Sequence, residues 1–213
     1  DIKKAALWDT IRNKSQFLET QMDPLERKRT GSYFTALELT DVMMQELVSY
    51  ILKSDKDITE LKFLEPCVGT GNFVFSYLKE ISKLQLHKEQ IETLINNIYV
   101  ADINQTALLE YKKLLSKFAK LYFDIDLSEE YFNSHIGSAL LIDVAAEQPE
   151  YIKITDVLPD EVVKEGFDIV VTNPPYKNLK AEKGQYSNDL EYEIDRARYA
   201  EIKKMVKRIF NYS

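Results

Sequence analysis

Phe63-Leu64-Glu65-Pro66-Cys67-Val68-Gly69-Thr70-Gly71-Asn72 is the stretch whose reading decides the fold. Two apolar residues end a short strand, a turn with two glycines follows, and Phe73, Val74, Tyr77, Leu78 and Ile81 carry a helix away from it. A strand, a glycine turn and a helix in that order let backbone N–H groups approach a ligand closely. The dinucleotide fingerprint needs a third glycine where Val74 stands, and a phosphate loop needs Gly-Lys-Ser or Gly-Lys-Thr where Asn72-Phe73 follows Gly71. Neither fits, which leaves a nucleoside without phosphates as the better match.

Toward the C-terminus, Ile98-Tyr99-Val100-Ala101-Asp102 reads as a second strand ending in a carboxylate. Asp102 either accepts the two hydroxyls of a ribose or caps the helix read from Gln105 to Leu115. Ser134 to Gly137 suits a short third strand, and Glu147 to Gly166 a connecting excursion. Phe167-Asp168-Ile169-Val170-Val171-Thr172-Asn173-Pro174-Pro175-Tyr176 is then an apolar, β-branched run that stops at two prolines. It predicts a buried central strand ending on Asn173 and feeding a rigid loop, because proline cannot donate to a sheet ladder and fixes its own φ. Open α/β sheets place their ligands just past such strand ends.

Beyond Tyr176, the polar segment Lys177 to Asp189 reads as a mobile loop. A helix follows with Ile194, Ala197, Ile202, Met205, Val206 and Ile209 on one face, and no further strand is legible. Its Arg196, Lys203, Lys204, Lys207 and Arg208 make either a solvated face or one turned to nucleic acid. At the other end, Ile2 to Gln21 has helical spacing and stops at Asp23-Pro24. Arg27-Lys28-Arg29 is either solvated or a phosphate contact. Thr30-Gly31-Ser32-Tyr33-Phe34-Thr35 opens into a helix, with Thr35 as N-cap, Glu38 completing a capping box, and Met43, Leu47, Val48 and Ile51 facing inward.

Thirty-five acidic against 28 basic residues in 213 give a net charge of −7, which excludes a protein basic all over that coats nucleic acid indiscriminately. The single cysteine, Cys67, excludes an internal disulfide framework and fits a reducing compartment. No signal-like core and no membrane-length apolar run is present, so a cytoplasmic location is expected. His87 and His135 lack Cys/His company at metal-ligand spacing, and no metal is expected. The chain does not begin with Met and reads as part of a longer gene product.

The glycine turn after the first strand, the acid ending the second, and Asn-Pro-Pro-Tyr after a later strand together resemble the S-adenosylmethionine-dependent DNA methyltransferases that modify the N6 amino group of adenine. Glu65-Pro66 with Gly69-Thr70-Gly71-Asn72-Phe73 looks like the first cofactor motif, Asn173 to Tyr176 like the catalytic motif, and Thr30 to Thr35 like the further cofactor element that precedes both in the γ class. That motif order is similar to the methyltransferase part of type II, IIG-like restriction-modification enzymes. The resemblance implies a Rossmann-like class I α/β sheet with helices on both faces, incomplete at its C-terminal side. Residues 1–29 would be an N-terminal helical extension, 30–176 the S-adenosylmethionine-binding core, and 177–213 a loop and helix leading to strands and a target-recognition domain elsewhere.

The resemblance also implies roles. Tyr33, Thr35 and Glu65 would surround the methionine end of the cofactor, and the turn with Pro66, Gly69 and Gly71 would pass under its ribose and sulfonium. Asp102 would bind the ribose hydroxyls, Ile103 would lie against the adenine ring, and Ser138 would replace the family's usual aspartate on the adenine amino group. Ala36 stands where many members have proline. The catalytic residues would be Asn173, Pro174, Pro175 and Tyr176, acting on an adenine flipped out of double-stranded DNA, with target-recognition or nuclease parts on the remaining chain or a partner subunit. The alternatives are a methyltransferase acting on RNA or on a protein glutamine, and a non-catalytic nucleic-acid-binding remnant.

Overall fold

The computed structural model describes residues 1–21, 34–137, 153–174 and 180–210. Helix α1 spans Ile2–Gln21 and turns Leu7, Ile11 and Ser15, one helical turn apart, onto the core. The Asp1 carboxylate accepts the Lys3 N–H at 3.0 Å and so satisfies one orphan donor at its start. Helix α2 spans Leu37–Leu52 with Ala36 at its N-cap and no side-chain cap. The expected Thr35 cap and Glu38 capping box are therefore not formed. Tertiary contacts hold both residues instead: Arg12 Nε donates to Glu38 Oε1 at 2.8 Å, and the Thr35 backbone carbonyl accepts from Asn72 Nδ2 at 2.8 Å.

The buried stripe of α2 is Leu37, Thr40, Met44, Val48 and Ile51, while the expected Met43 is 43% exposed and Leu47 is only partly buried. The stripe lies one residue round because the Thr40 hydroxyl faces inward to the Ser76 hydroxyl at 2.8 Å. Thr40 in turn brings Met44 rather than Met43 to the core.

Four strands, β1 (Phe63–Glu65), β2 (Ile98–Asp102), β3 (Ser134–Ile136) and β4 (Ile169–Val170), form a parallel sheet in the order β3-β2-β1-β4. Phe63 stands in register with Ile98 on one side and Ile169 on the other. Parallel pairing requires crossovers, and the chain supplies helices α3 (Asn72–Ile81), α4 (Lys88–Asn96) and α5 (Gln105–Phe123) for them. The chain steps outward from β1 to β2 and β3, then returns to pair β4 with the opposite side of β1. The direction of winding thus reverses between β1 and β4, the position at which open α/β sheets leave a crevice at their carboxyl ends.

Both faces of the sheet are covered. Phe63 joins the main core with Ile11, Phe75, Tyr77, Leu115 and Phe118, whereas its neighbour Leu64 points to the other face and packs with Ala101 and Leu158 beside Phe167 and Val163. Val163 belongs to α6 (Asp160–Glu165), a short helix inside the segment read as a connecting excursion. Nine of the ten α3 residues are buried, so this helix lies in the interior, between α2 and the sheet.

The strand read as Phe167 to Asn173, buried and central, is shorter and lies at the edge of the four described strands. Only Ile169 and Val170 are in the ladder, and Val170 is 57% exposed. Val171 N–H still donates to the Leu64 carbonyl at 3.0 Å, but β1 ends at Glu65 and turns away, so among the described strands the ladder stops before Thr172 and Asn173. Helix α7 (Asp189–Phe210) buries Asp195, Tyr199 and Ile202, and the expected Ile194 is 57% exposed with Ala197 also outward. Tyr186 Oη donates to Asp195 Oδ2 at 3.0 Å and Arg198 lies 3.6 Å from Asp195, so polar contacts set the buried face. Before it, Lys183–Gln185 forms a 3-10 turn within the segment read as a mobile loop.

Ile11 is fully buried where α1 meets the core. Ile11→Ala is expected to cost about 2–4 kcal/mol in urea unfolding. A loss below about 0.5 kcal/mol would mean that α1 is a surface appendage.

Candidate functional site

The turn after β1 is shaped by two left-handed glycines. Gly69 has φ +55° and Gly71 φ +92°, and Gly71 caps α3 without a side chain. A Cβ on Gly69 would lie 2.7 Å from the Phe34 ring, and one on Gly71 would lie 2.5 Å from the Tyr111 ring. The turn backbone thus rests directly on two aromatic rings, a closeness that only glycine permits at these φ values. Gly71 N–H closes the turn on the Val68 carbonyl at 2.8 Å, and Val68 N–H reaches across to Ala101 of β2 at 3.0 Å.

Two carboxyl groups stand at the ends of β1 and β2. Asp102 accepts Gly69 N–H at 2.7 Å and Asn104 N–H at 2.8 Å. Burial outweighs these donors and pushes its carboxyl above the usual aspartate range. Asp102 does not cap the following helix: Asn104 does, accepting Ala107 N–H at 3.1 Å, and the carboxylate is left for the turn. Glu65 is 3% exposed, and its Oε2 has no hydrogen-bond partner among the described residues. Burial, reinforced by the nearby Asp102 charge, raises its carboxyl well above the usual range, and the Val74 N–H only partly offsets this.

A cleft of about 270 Å³, counted to its open mouth, is lined by Phe34, Thr35, Glu65, Cys67, Val68, Gly69, Thr70, Asn72, Phe73 and Asn173. It brings Thr35, Glu65 and Gly69 into one cleft with Asn173, a residue more than a hundred positions later in the chain. Burial pushes the Cys67 thiol up to about 11, only partly offset by the Thr172 side chain, so it stays protonated at neutral pH.

Pro66 is buried in the turn and Gly71 lies beneath it, neither lining the cleft. Asp102 braces the turn from behind, Ile103 is 49% exposed beside it, and Pro174 is exposed after Asn173. Tyr33, Ser138, Pro175 and Tyr176 lie outside the described residues, as do Arg27, Lys28 and Arg29. Cys67, Thr70, Asn72 and Phe73 line the cleft; the sequence placed them in the turn and cofactor motif without giving them roles of their own. A polar side chain at the first position of a helix without a side-chain cap is the signal that points to Asn72. Among the described residues no group of three or more His, Cys, Asp or Glu is placed to hold a metal ion, and no helix is long and apolar enough to cross a membrane.

A parallel α/β sheet with a glycine turn and a cleft at its point of reversal defines a Rossmann-like methyltransferase fold. Residues 96–212, over half of the chain, match the model of the Eco57I restriction-modification methylase family, and the chain belongs to that family. Among solved structures it is similar to a chain of the cryo-EM structure of a DrdV–DNA complex, with a TM-score of 0.57 and 15% sequence identity. The similarity covers 93% of this chain and 18% of that one, so this chain spans less than a fifth of its neighbour's length. No curated protein matches the chain.

The raised Glu65 carboxyl has a measurable consequence. A carboxyl whose folded pKa lies above its unfolded value contributes stability at pH below the unfolded value and loses it as pH rises through the folded one. Glu65→Gln is therefore expected to unfold at higher urea concentration than wild type at about pH 8, with the difference closing toward about pH 5. The lowered carboxyls of Glu38, Asp57 and Asp168 act below that window. A difference that does not change with pH would show that Glu65 is ordinarily ionised.

Proposed function

We propose that this chain carries the cofactor-binding and catalytic machinery of a DNA methyltransferase of a restriction-modification system, transferring a methyl group from S-adenosylmethionine to the N6 amino group of adenine. One observation carries the reading: a buried carboxyl group without a counter-charge, Glu65, borders a cleft that also contains Asn173, and its ionised form lacks a partner there. A buried charge of this kind is stabilised by a cationic or N–H-bearing ligand. The ammonium group at the methionine end of S-adenosylmethionine meets that requirement, and the glycine turn gives a nucleoside close access to backbone.

In this reading Glu65, with Thr35 and Tyr33, holds the methionine end, and Pro66, Gly69 and Gly71 pass under the ribose and sulfonium. Gly69, Asn104 and Ile103 N–H groups use three of the four lone-pair sites of the Asp102 carboxyl, which leaves one to accept a ribose hydroxyl. Ile103, exposed beside it, packs on the adenine ring, and Ser138 accepts from the cofactor's amino group. The cofactor supplies an activated methyl group on a sulfonium that is already a good leaving group.

The remaining work is positioning. The exocyclic amine of adenine is a poor nucleophile because its lone pair is delocalised into the ring. The Asn173 side-chain oxygen and the Pro174 carbonyl accept its two N–H groups, favouring a tetrahedral nitrogen whose lone pair points outward. Pro175 keeps that carbonyl's direction fixed. Tyr176 stacks on the flipped base and offsets part of the few kcal/mol that extrusion costs, stacking being worth roughly 1–3 kcal/mol. The substrate is double-stranded DNA in the cytoplasm, with the basic last turn of α7 available to phosphate and with target recognition or a nuclease on other chain segments or a partner subunit. The division into residues 1–29, 30–176 and 177–213 follows these roles.

The test is Asn173→Ala. We expect it to bind S-adenosylhomocysteine within about threefold of wild type in calorimetry while transfer of labelled methyl to adenine-containing DNA falls by about 100-fold or more. Loss of binding in the variant, undiminished transfer, or label on RNA or a protein glutamine in place of adenine would overturn the reading.

A further inference from the structure

The inward stripe of α1 ends in a residue that packing does not ask for. Leu7 and Ile11 enter the apolar core, but the next position on the same face is Ser15, 4% exposed. A buried hydroxyl is costly unless it is hydrogen-bonded, and the two short contacts of this one are 55 and 57 positions away in sequence, the Ile11 carbonyl of its own helix lying farther off at 3.5 Å. Its Oγ lies 2.5 Å from Thr70 Oγ1 and 2.8 Å from Asn72 Oδ1. Asn72 Nδ2 donates to the Thr35 carbonyl at 2.8 Å.

The protons can be assigned. An amide oxygen carries none, so the Ser15 hydrogen goes to Asn72 Oδ1 and the Thr70 hydrogen goes to Ser15 Oγ. The result is one directed chain, Thr70 to Ser15 to Asn72 to Thr35. Thr70, Asn72 and Thr35 all line the cleft, on two different walls: the turn after β1 and the entry to α2. Ser15 lines neither. Two ion pairs flank it on α1, Arg12 with Glu38 of α2 at 2.8 Å and Lys14 with Glu110 of α5 at 2.9 Å. They are partly exposed and individually weak, but they set the helix in the register that brings Ser15 to the turn.

We propose that Ser15 is a positioning residue of the cofactor cleft, through which α1 sets the spacing of the two cleft walls. An apolar side chain at position 15 serves packing equally well; only a hydroxyl orients Thr70 and the Asn72 amide toward each other and toward Thr35. The inference about ligand binding rests on the S-adenosylmethionine reading above, whereas its positional part does not.

Ser15→Thr and Ser15→Val separate the two roles, because threonine and valine have nearly the same shape and differ in the hydroxyl. Ser15→Ala, which adds no volume, is measured beside them and carries the same expectation as valine where valine does not fold. In hydrogen exchange of the ligand-free protein, we expect the amides of residues 68–73 to exchange about tenfold faster in the Val and Ala variants than in wild type or Ser15→Thr, with β2 unchanged. In calorimetry the same two variants should bind S-adenosylhomocysteine about tenfold more weakly, and Ser15→Thr within about threefold of wild type. Equal exchange and equal affinity across Thr, Val and Ala overturn the inference, as does acceleration spread evenly over the sheet. Faster local exchange in a protein whose wild type binds no S-adenosylhomocysteine overturns the cofactor reading and leaves Ser15 as a positioning residue.

Discussion

The hydrogen bond from Gly69 N–H to the Asp102 carboxyl at 2.7 Å, beside that from Val68 N–H to the Ala101 carbonyl at 3.0 Å, joins the ends of the two central strands and fixes the turn of the site. Gly69 can reach Asp102 only because its φ is positive and because nothing but hydrogen separates it from the Phe34 ring. Asp102 is available only because Asn104 takes over the capping of α5. With that bond in place the turn faces the open side of the sheet, buried Glu65 borders the cleft, and Asn173 beyond the end of β4 lines its other side.

The cost of this arrangement is concentrated in two carboxyl groups. Both Glu65 and Asp102 are pushed upward mainly by burial, and no cation is paired with either among the interactions described. A protein selected for stability alone would replace such a group with an apolar or amide side chain. The proposed function rests on Glu65, which costs stability unless a ligand pairs with it.

What could be read from the sequence was local. The strand-turn-helix at Phe63 to Ile81 and the second strand at Ile98–Asp102 are legible because apolar runs and glycines specify them without help from distant residues. What escaped reading depends on distant partners. Thr35 resembles a cap until Asn72 claims its carbonyl; Met43 resembles core until Thr40 turns inward to Ser76; the α7 face rotates toward Asp195 because Tyr186 reaches it. Ser15 carries no signal in a helix otherwise rich in polar residues, and its meaning appears only with Thr70 and Asn72 beside it. The shortness of β4 likewise follows from where β1 turns away, which the apolar run from Phe167 does not reveal.

The central claim is that the turn from Glu65 to Phe73 and the residue Asn173 bound one cleft for the methyl donor. Ultraviolet crosslinking of methyl-labelled S-adenosylmethionine to the native protein, followed by peptide mapping, tests it most directly. The account predicts label, displaced by unlabelled cofactor, on peptides containing residues 65–73, 34–35 or 173. Displaceable label confined to peptides elsewhere in the chain, or no displaceable label at all, would contradict it.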